Sequence, residues 1–483
     1  MFDLSKVDLG NDEAEQDKRL REYFLKTSNY KNALAGKKTI VIGRKGSGKS
    51  AIFRLMQDEL ETLGSLVIPI TPDQYSWSLL RDYKEIGISL AQAHTNAWKM
   101  TLLSSVLCKL HESNLLLKKS ELFKYSQYMR DAYTINSENW FLNLVNKAKN
   151  ILSGVKIKGI IIELRDVNAI PIPLKVIEEI RSLLLKEWPL EKKVHIIIDR
   201  LDDSWDGSEE SKNLIIGLLK AANEINAAFT DKLIVTVFLR SDIYDSLFFN
   251  DQDKLRQNEE TLNWSVDELK DVVCERVRVS LGLGDSESNQ EIWKKVFSDK
   301  NYRSKASAEK YIIDRTFKRP RDIISFVRFA IEIAVRSNHT VIEPDDTRLA
   351  EQEKYSQSKY TDLIIEYQHQ VPYVKDILTI FSGSLHKISQ SEMISKLNDF
   401  TKHKNIYVNS NELIRQLFIW GVIGIKRQGG ARVKQRGGVH FYYYYDDPSI
   451  NPLSYNEYYI HPSLRYYLNI SEKREKNLSI NPN

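Results

Sequence analysis

The sequence predicts an α/β fold: a P-loop NTPase parallel sheet with a helical insertion, a helical lid and a C-terminal winged-helix domain. Three observations carry that expectation. Gly43-Arg44-Lys45-Gly46-Ser47-Gly48-Lys49-Ser50 fits G-x-x-x-x-G-K-[ST] at every fixed position. Val194-His195-Ile196-Ile197-Ile198-Asp199 is an apolar run with an acid at its exit. Near the C-terminus, helical patterns give way to two short apolar runs that flank a basic, glycine-rich loop.

The glycine-rich stretch follows the β-branched run Thr39-Ile40-Val41-Ile42 and precedes the amphipathic Ala51-Ile52-Phe53-Arg54-Leu55-Met56. That is strand, loop, helix. Glycines let backbone N–H groups curl into an anion nest, and the helix N-terminus adds its partial positive charge. Gly43 through Ala51 would therefore cradle phosphates, with Lys49 reaching the β/γ-phosphates and the Ser50 hydroxyl taking one Mg²⁺ position. The implied ligand is a nucleoside triphosphate, ATP, with Mg²⁺.

Composition sets the frame. At 483 residues the chain has room for about two to four domains. Net charge is +5 from 70 basic and 65 acidic residues, too balanced to announce a nucleic-acid partner, so any basic patch is local. Cys108 and Cys274 lie far apart, which argues against a disulfide scaffold and suits a reducing compartment. His94, His111, His386, His403 and His461 show no metal-ligand spacing. The N-terminus has no apolar signal region and no run nears about 18 apolar residues, so a cytoplasmic location without membrane contact is expected.

Taken in order, residues 1–36 read as a helical segment beside the first strand, with Phe24 and Tyr30 either facing adenine or filling core. Residues 37–264 form the ATPase core. A second strand is expected at Leu66–Ile70, and residues 76–150 read as a helical insertion. Strand material at 155–164 and a helix from about Pro173 to Lys186 follow. The 194–199 strand then delivers Asp199 beside the phosphate loop, where it would hold Mg²⁺. His195 in that strand reads as core. Asp202 and Asp203 are the carboxylates near enough to orient a water; Asp202 is placed first, because Asp203 equally suits capping a helix that begins near Ser208. A strand at 233–239 ends in Arg240, which either meets the γ-phosphate or lies exposed. Glu260–Trp264 reads as a fifth strand.

Ser265 and Glu268 form a capping-box pattern that opens a lid over 265–342, with helices at about 289–299, 307–317 and from Pro320. A connecting helix is expected over 343–370, from Asp345 to Tyr367. In the winged-helix region, 371–470, helices are expected at Pro372–Phe381, after Ser389 and after Asn409. Strands are expected at Val422–Ile425 and Phe441–Tyr445, and a last helix around Tyr459–Arg465. Residues 471–483 are a polar tail.

The phosphate loop, the hhhhDRLD strand, a strand ending in Arg and a lid helix opening Arg319-Pro320-Arg321-Asp322 together resemble the AAA+/STAND class of P-loop ATPases. Within that class the chain is similar to the archaeal origin-recognition branch. It is more similar to prokaryotic ATPases that begin with G-R-K-G-S-G-K-S, which often occur among mobile-element and phage-defence genes. The resemblance covers about residues 12–345. It implies that Arg321 supplies a lid arginine to the nucleotide. At two positions the chain departs from the pattern: Arg200 stands where the class carries an acid, which argues against fast turnover, and Lys318 stands where a glycine commonly precedes Arg-Pro.

The expected wing holds Lys426, Arg427, Arg432, Lys434 and Arg436, four glycines and no acid between its strands. Contacts from those five cations to phosphates would give a salt slope of about −4.5 on duplex DNA. Contact with protein, or with another part of the chain as in STAND proteins, and a solvated hairpin tip are the other readings. Three functions remain open from sequence: a DNA-coupled ATPase switch or sensor, a slow signalling ATPase with a protein partner, and a nucleic-acid-binding module with an ATP-stabilised fold.

Overall fold

The computed structural model describes residues 3–81, 88–118, 120–130, 142–146, 172–189, 192–284, 286–302, 305–428 and 439–472. The chain divides into a sheet unit, residues 14–16 and 26–263, and a C-terminal unit, residues 1–13, 17–25 and 264–483.

In the sheet unit, strands β1 (Ile40–Ile42), β2 (Leu66–Ile70), β3 (Val194–Ile198), β4 (Leu233–Leu239) and β5 (Glu259–Thr261) form one parallel sheet in the order β2-β3-β4-β1-β5. All five residues of β3 are buried, as expected of a strand with helices over both faces. His195 is buried there and burial lowers its pKa to about 4, so it is neutral core. Because β3, β4 and β1 are neighbours, the residues that leave their carboxyl ends (Asp199, Arg240 and Gly43) come to one edge of the sheet.

The insertion is helical where it is described, at Gln74–Arg81, Leu90–Glu112 and Glu121–Arg130; the strand expected at 155–164 lies outside the described residues. Leu90–Glu112 is buried on nearly every side and packs along the helix Glu209–Phe229. Trp98 Nε1 donates to Leu214 O across that contact at 3.1 Å. Gly217 lets the helices approach: a Cβ there would lie 2.7 Å from His94 Cβ and 2.8 Å from its carbonyl carbon. Gly217→Ala should therefore destabilise the unit by about 1–3 kcal/mol, read as a lower urea midpoint.

Residues 11–35 do not form one helix beside the first strand. Leu20–Tyr23 is a single turn of the C-terminal unit, where Asp17 pairs with Arg276 at 3.1 Å and Arg276 lies over the Tyr23 ring. Ser28–Leu34 belongs to the sheet unit. Its Tyr30 is fully buried and donates to Glu59 of the phosphate-loop helix at 2.7 Å, which makes it core.

In the C-terminal unit, helices Val266–Leu281, Asn289–Val296, Ala308–Ile313 and Pro320–Arg336 form one core with Leu4 and Leu9. The Ser265–Glu268 capping box is present. The connecting helix runs as Pro344–Ala350, a π-turn at Glu351–Tyr355 and Ser356–Tyr367. A second core follows, built on helices Val374–Thr379, Gln390–Lys404 and Ser410–Ile419. Its sheet is antiparallel, with β6 (Lys387–Ser389), β7 (Ile423–Gln428), β8 (Val439–Tyr442) and β9 (Glu457–Ile460) in the order β6-β9-β7-β8.

Two expectations for this region are corrected. Tyr459 and Ile460 do not start a helix: they end β9, which fills the gap between β6 and β7, and a short 3₁₀ turn, Pro462–Leu464, follows. The tyrosine run is not all strand, because β8 stops at Tyr442 and the amide of Tyr443 turns back to the Asp446 carboxylate.

Four charged side chains are buried between the lid and connecting helices. Asp322 accepts from Arg319 at 3.1 Å and from Lys359 at 2.6 Å, and Arg319 also pairs with Glu366 at 3.2 Å. Burial pushes the Asp322 carboxyl up, but the two cations outweigh it and hold it far below the ordinary carboxylate range. Lys359→Met leaves that carboxylate with one cation fewer. A loss of about 3–5 kcal/mol is expected in chemical denaturation, the range for breaking a buried pair.

Candidate functional site

The strand–loop–helix around Lys49 builds the site. Gly46 and Gly48 adopt φ of 78° and 99°, left-handed values that a side chain resists, and the loop folds back so that Ser47 N–H donates to Arg44 O at 3.1 Å. The helix Lys49–Thr62 starts at once, and its first-turn amides, through Ser50 and Ala51, have no intrahelical acceptor. Lys49 is buried, and its ammonium donates to Gly43 O at 2.8 Å and Arg44 O at 3.2 Å. Burial lowers its pKa, while Asp202 and Asp199 pull it back up.

Asp199 leaves β3 3% exposed, its amide bonded to Ile70 O at 3.0 Å. Burial pushes its carboxyl up to about 6, against the pull of Lys49, the Arg200 amide and a hydrogen bond from Ser50. A carboxylate and a hydroxyl oxygen side by side form a hard-oxygen pair that suits Mg²⁺.

Asp202 and Asp203 separate. Asp203 is held by Arg200 at 2.9 Å, and Arg200 takes a left-handed φ of 62°. Asp203 does not cap the next helix: Ser208 does, accepting from Ser211 N at 3.2 Å, with Asp206 beneath it. Asp202 instead lies 3.6 Å from Arg240, inside the field of Lys49. Arg240 is 5% exposed, so it is not an exposed strand end; it is clamped by Asp242 at 2.9 and 2.6 Å. Sequence reasoning missed Asp242, although the Arg240-Ser241-Asp242 spacing held the signal.

Lys49, Ser50, Asp199, Asp202 and Arg240 are thus gathered at the carboxyl edge of one sheet. Arg321 belongs to the other unit. It is the second residue of the lid helix Pro320–Arg336, and its Nε is buried without a hydrogen-bond partner. The preceding Lys318 has φ 51°, so a lysine occupies the glycine-like backbone conformation.

Of the basic wing, Arg432, Lys434 and Arg436 lie outside the described residues. Lys426 and Arg427 are on β7. The fold supplies an acid that the loop itself lacks: Arg427 pairs with Asp447 at 3.1 Å and donates to Tyr455 Oη at 2.8 Å. Among the described residues, no group of three or more His, Cys, Asp or Glu side chains could hold a metal ion. No helix there is long and apolar enough to cross a membrane.

Comparison with known proteins gives three kinds of similarity. Residues 267–364 match the family described as the FunZ-associated C-terminal helical domain. An 80.3 kDa protein of transposon gamma-delta from Escherichia coli (strain K12) is 26% identical, over 86% of this chain and 61% of its own length. The chain thus spans about three fifths of that relative. Among solved structures, a Walker-type ATPase of Pyrococcus abyssi is 12% identical, with a TM-score of 0.39 over 96% of this chain and 99% of that one. An Aeropyrum pernix ORC2 protein in ADPNP–ADP complexes is also 12% identical, with a TM-score of 0.38 over 93% and 94%. Pyrobaculum aerophilum Cdc6p is 9% identical, with a TM-score of 0.29 over 88% and 92%.

The raised Asp199 pKa gives a test. Its stability effect is absent below about pH 4, where folded and unfolded chains both hold the proton, and grows as pH rises to about 6. Above that the buried charge penalises folding in full. Asp199→Asn should therefore stabilise the metal-free chain by up to about 3 kcal/mol at pH 8, with the gain fading toward pH 4 in urea titrations.

Proposed function

We propose that the chain is a cytoplasmic P-loop ATPase that works as a nucleotide-dependent switch. One observation carries this reading: buried Lys49 and Asp199 converge with Ser50 at the carboxyl edge of β1 and β3, where a helix begins whose first-turn amides have no intrahelical acceptor. Within the loop from Gly43 to Ala51, the amides that its own hydrogen bonds leave free, together with the Lys49 ammonium, take the phosphates, with Lys49 exchanging its two carbonyl contacts for phosphate oxygens. Ser50 and Asp199 would hold Mg²⁺, which would supply positive charge to offset that of the triphosphate. Asp202 orients the attacking water, and Arg240, aligned by Asp242, faces the γ-phosphate edge. Arg321 closes on the nucleotide from the lid, so that the state of the nucleotide is passed to the C-terminal region. With Arg200 after Asp199 in place of an acid, turnover is slow.

The helices and antiparallel sheet after residue 371 are read as a winged helix whose hairpin, through Lys426 and the basic loop beyond Arg427, meets double-stranded DNA. The pairing of Arg427 with Asp447 favours a second reading, in which this hairpin serves a protein or self contact. The transposon name of the relative supports a place in prokaryotic mobile-element or phage-defence biology.

ATP hydrolysis is measured for wild type, Lys49→Ala and Asp202→Asn, with and without duplex DNA, at two salt concentrations. Slow turnover is expected, reduced about a hundredfold by either substitution, with ATP still bound by Asp202→Asn. Stimulation by DNA that fades with salt supports the DNA-coupled switch. A rate indifferent to DNA turns the assignment to a protein partner, and turnover that survives Lys49→Ala overturns the ATPase reading.

A further inference from the structure

A cavity of about 660 Å³ lies within the C-terminal unit, between the turn that precedes the lid helix and the chain around the β8 hairpin. Its size is that of a small-molecule site. Neither the phosphate loop nor the basic wing tip contributes to it.

The lining combines two kinds of group. Phe441, Tyr443 and Tyr445 form an aromatic wall. Tyr443 and Tyr445 are stacked at 5.4 Å and 14°, and Tyr445 is anchored by a hydrogen bond to His461 at 2.9 Å, while Phe441 is 45% exposed. The lining also includes Lys305, Lys310, Arg315, Lys318 and Arg465, against three carboxylates, Asp314, Asp446 and Glu472.

The cations are presented in graded ways. Arg315 is the most rigid: the π-turn places Glu351 to accept from its Nε at 2.7 Å, and its guanidinium lies 3.5 Å from the Tyr311 ring centroid. Irregular turns of this kind are often found at functional sites. Lys310 is tied only to Asp314, through an exposed pair that contributes little and is readily exchanged. Lys305 is exposed and has no ion-pair partner among the described residues.

We propose that this cavity is an effector site for a free nucleotide, a planar base with a phosphate. Flat rings stack on Phe441 and the tyrosine wall, while Lys305, Lys310 and Arg315 hold the phosphate through charge-assisted hydrogen bonds. The site has a mechanical output. Lys318, bound to Asp446, stands three residues before Arg321 in the left-handed turn that opens the lid helix. An anion in the cavity competes with Asp446 for Lys318 and loosens that turn. This output rests on the lid role proposed for Arg321; the binding itself does not.

The test is calorimetric titration of the full chain with AMP, GMP, CMP and UMP. Monophosphates are used because they lack the β/γ groups that a phosphate loop grips, and a non-hydrolysable ATP analogue is titrated separately. Saturable binding of at least one monophosphate is expected, weakened about tenfold or more by Lys305→Glu/Lys310→Glu or by Phe441→Ala and unchanged in Lys49→Ala. No binding by any of the four up to about 5 mM overturns the proposal. So does binding that survives both cavity variants, or a ten-nucleotide single strand preferred more than about tenfold over every monophosphate. If the ATP analogue alone fails to bind, the ATPase reading falls while cavity-sensitive monophosphate binding still stands.

Discussion

The sheet unit depends on one arrangement: opposite charges taken out of water at a single sheet edge. Lys49 sits under its own loop, bonded to the carbonyls of Gly43 and Arg44; burial lowers its pKa, and Asp202 and Asp199 are close enough to oppose that shift. Asp199 is buried so deeply that its carboxyl rises to about 6 in spite of that neighbour. Such a constellation is not optimised for folding, since desolvated charges without full compensation cost stability. Its logic is that of a site prepared for phosphate and a cation, whose charges would complete the balance.

The surrounding structure fixes that edge. Buried parallel strands deliver Gly43, Asp199 and Arg240 side by side, and Asp242 locks Arg240 so that it cannot swing away. The long insertion helix packs against Glu209–Phe229 through the gap left at Gly217 and thickens one layer of the sheet unit.

The C-terminal unit solves a different problem, joining two cores without leaving them independent. Arg319, Asp322, Lys359 and Glu366 make a buried ionic cluster between the lid and connecting helices. Phe317 lies edge-on to His461 at 4.5 Å and Lys318 reaches Asp446, so the short run that opens the lid helix touches the C-terminal sheet region directly. Motion of that run cannot leave either core undisturbed, because packed interiors transmit displacement.

Much of this was legible before any coordinates. A strand, a glycine loop and a helix are short-range events, so the phosphate loop, the β2 and β3 runs and the caps at Ser265, Ser389 and Asn409 could be read from local pattern. Strands β6 and β9 could not. They are short, and only their pairing with each other and with β7 makes them strands. The sequence by itself determined which residues can cradle a phosphate, because nests and helix starts need only neighbours in the chain. The tertiary structure alone decided that Asp202 faces Lys49 while Asp203 is spent on Arg200, that Arg240 is clamped and buried, and that Arg427 meets Asp447. The partners of Asp203 and Arg240 lie close in sequence, but which of several competing charges each side chain meets, and which become buried, is set by residues that only the fold brings within a few ångströms.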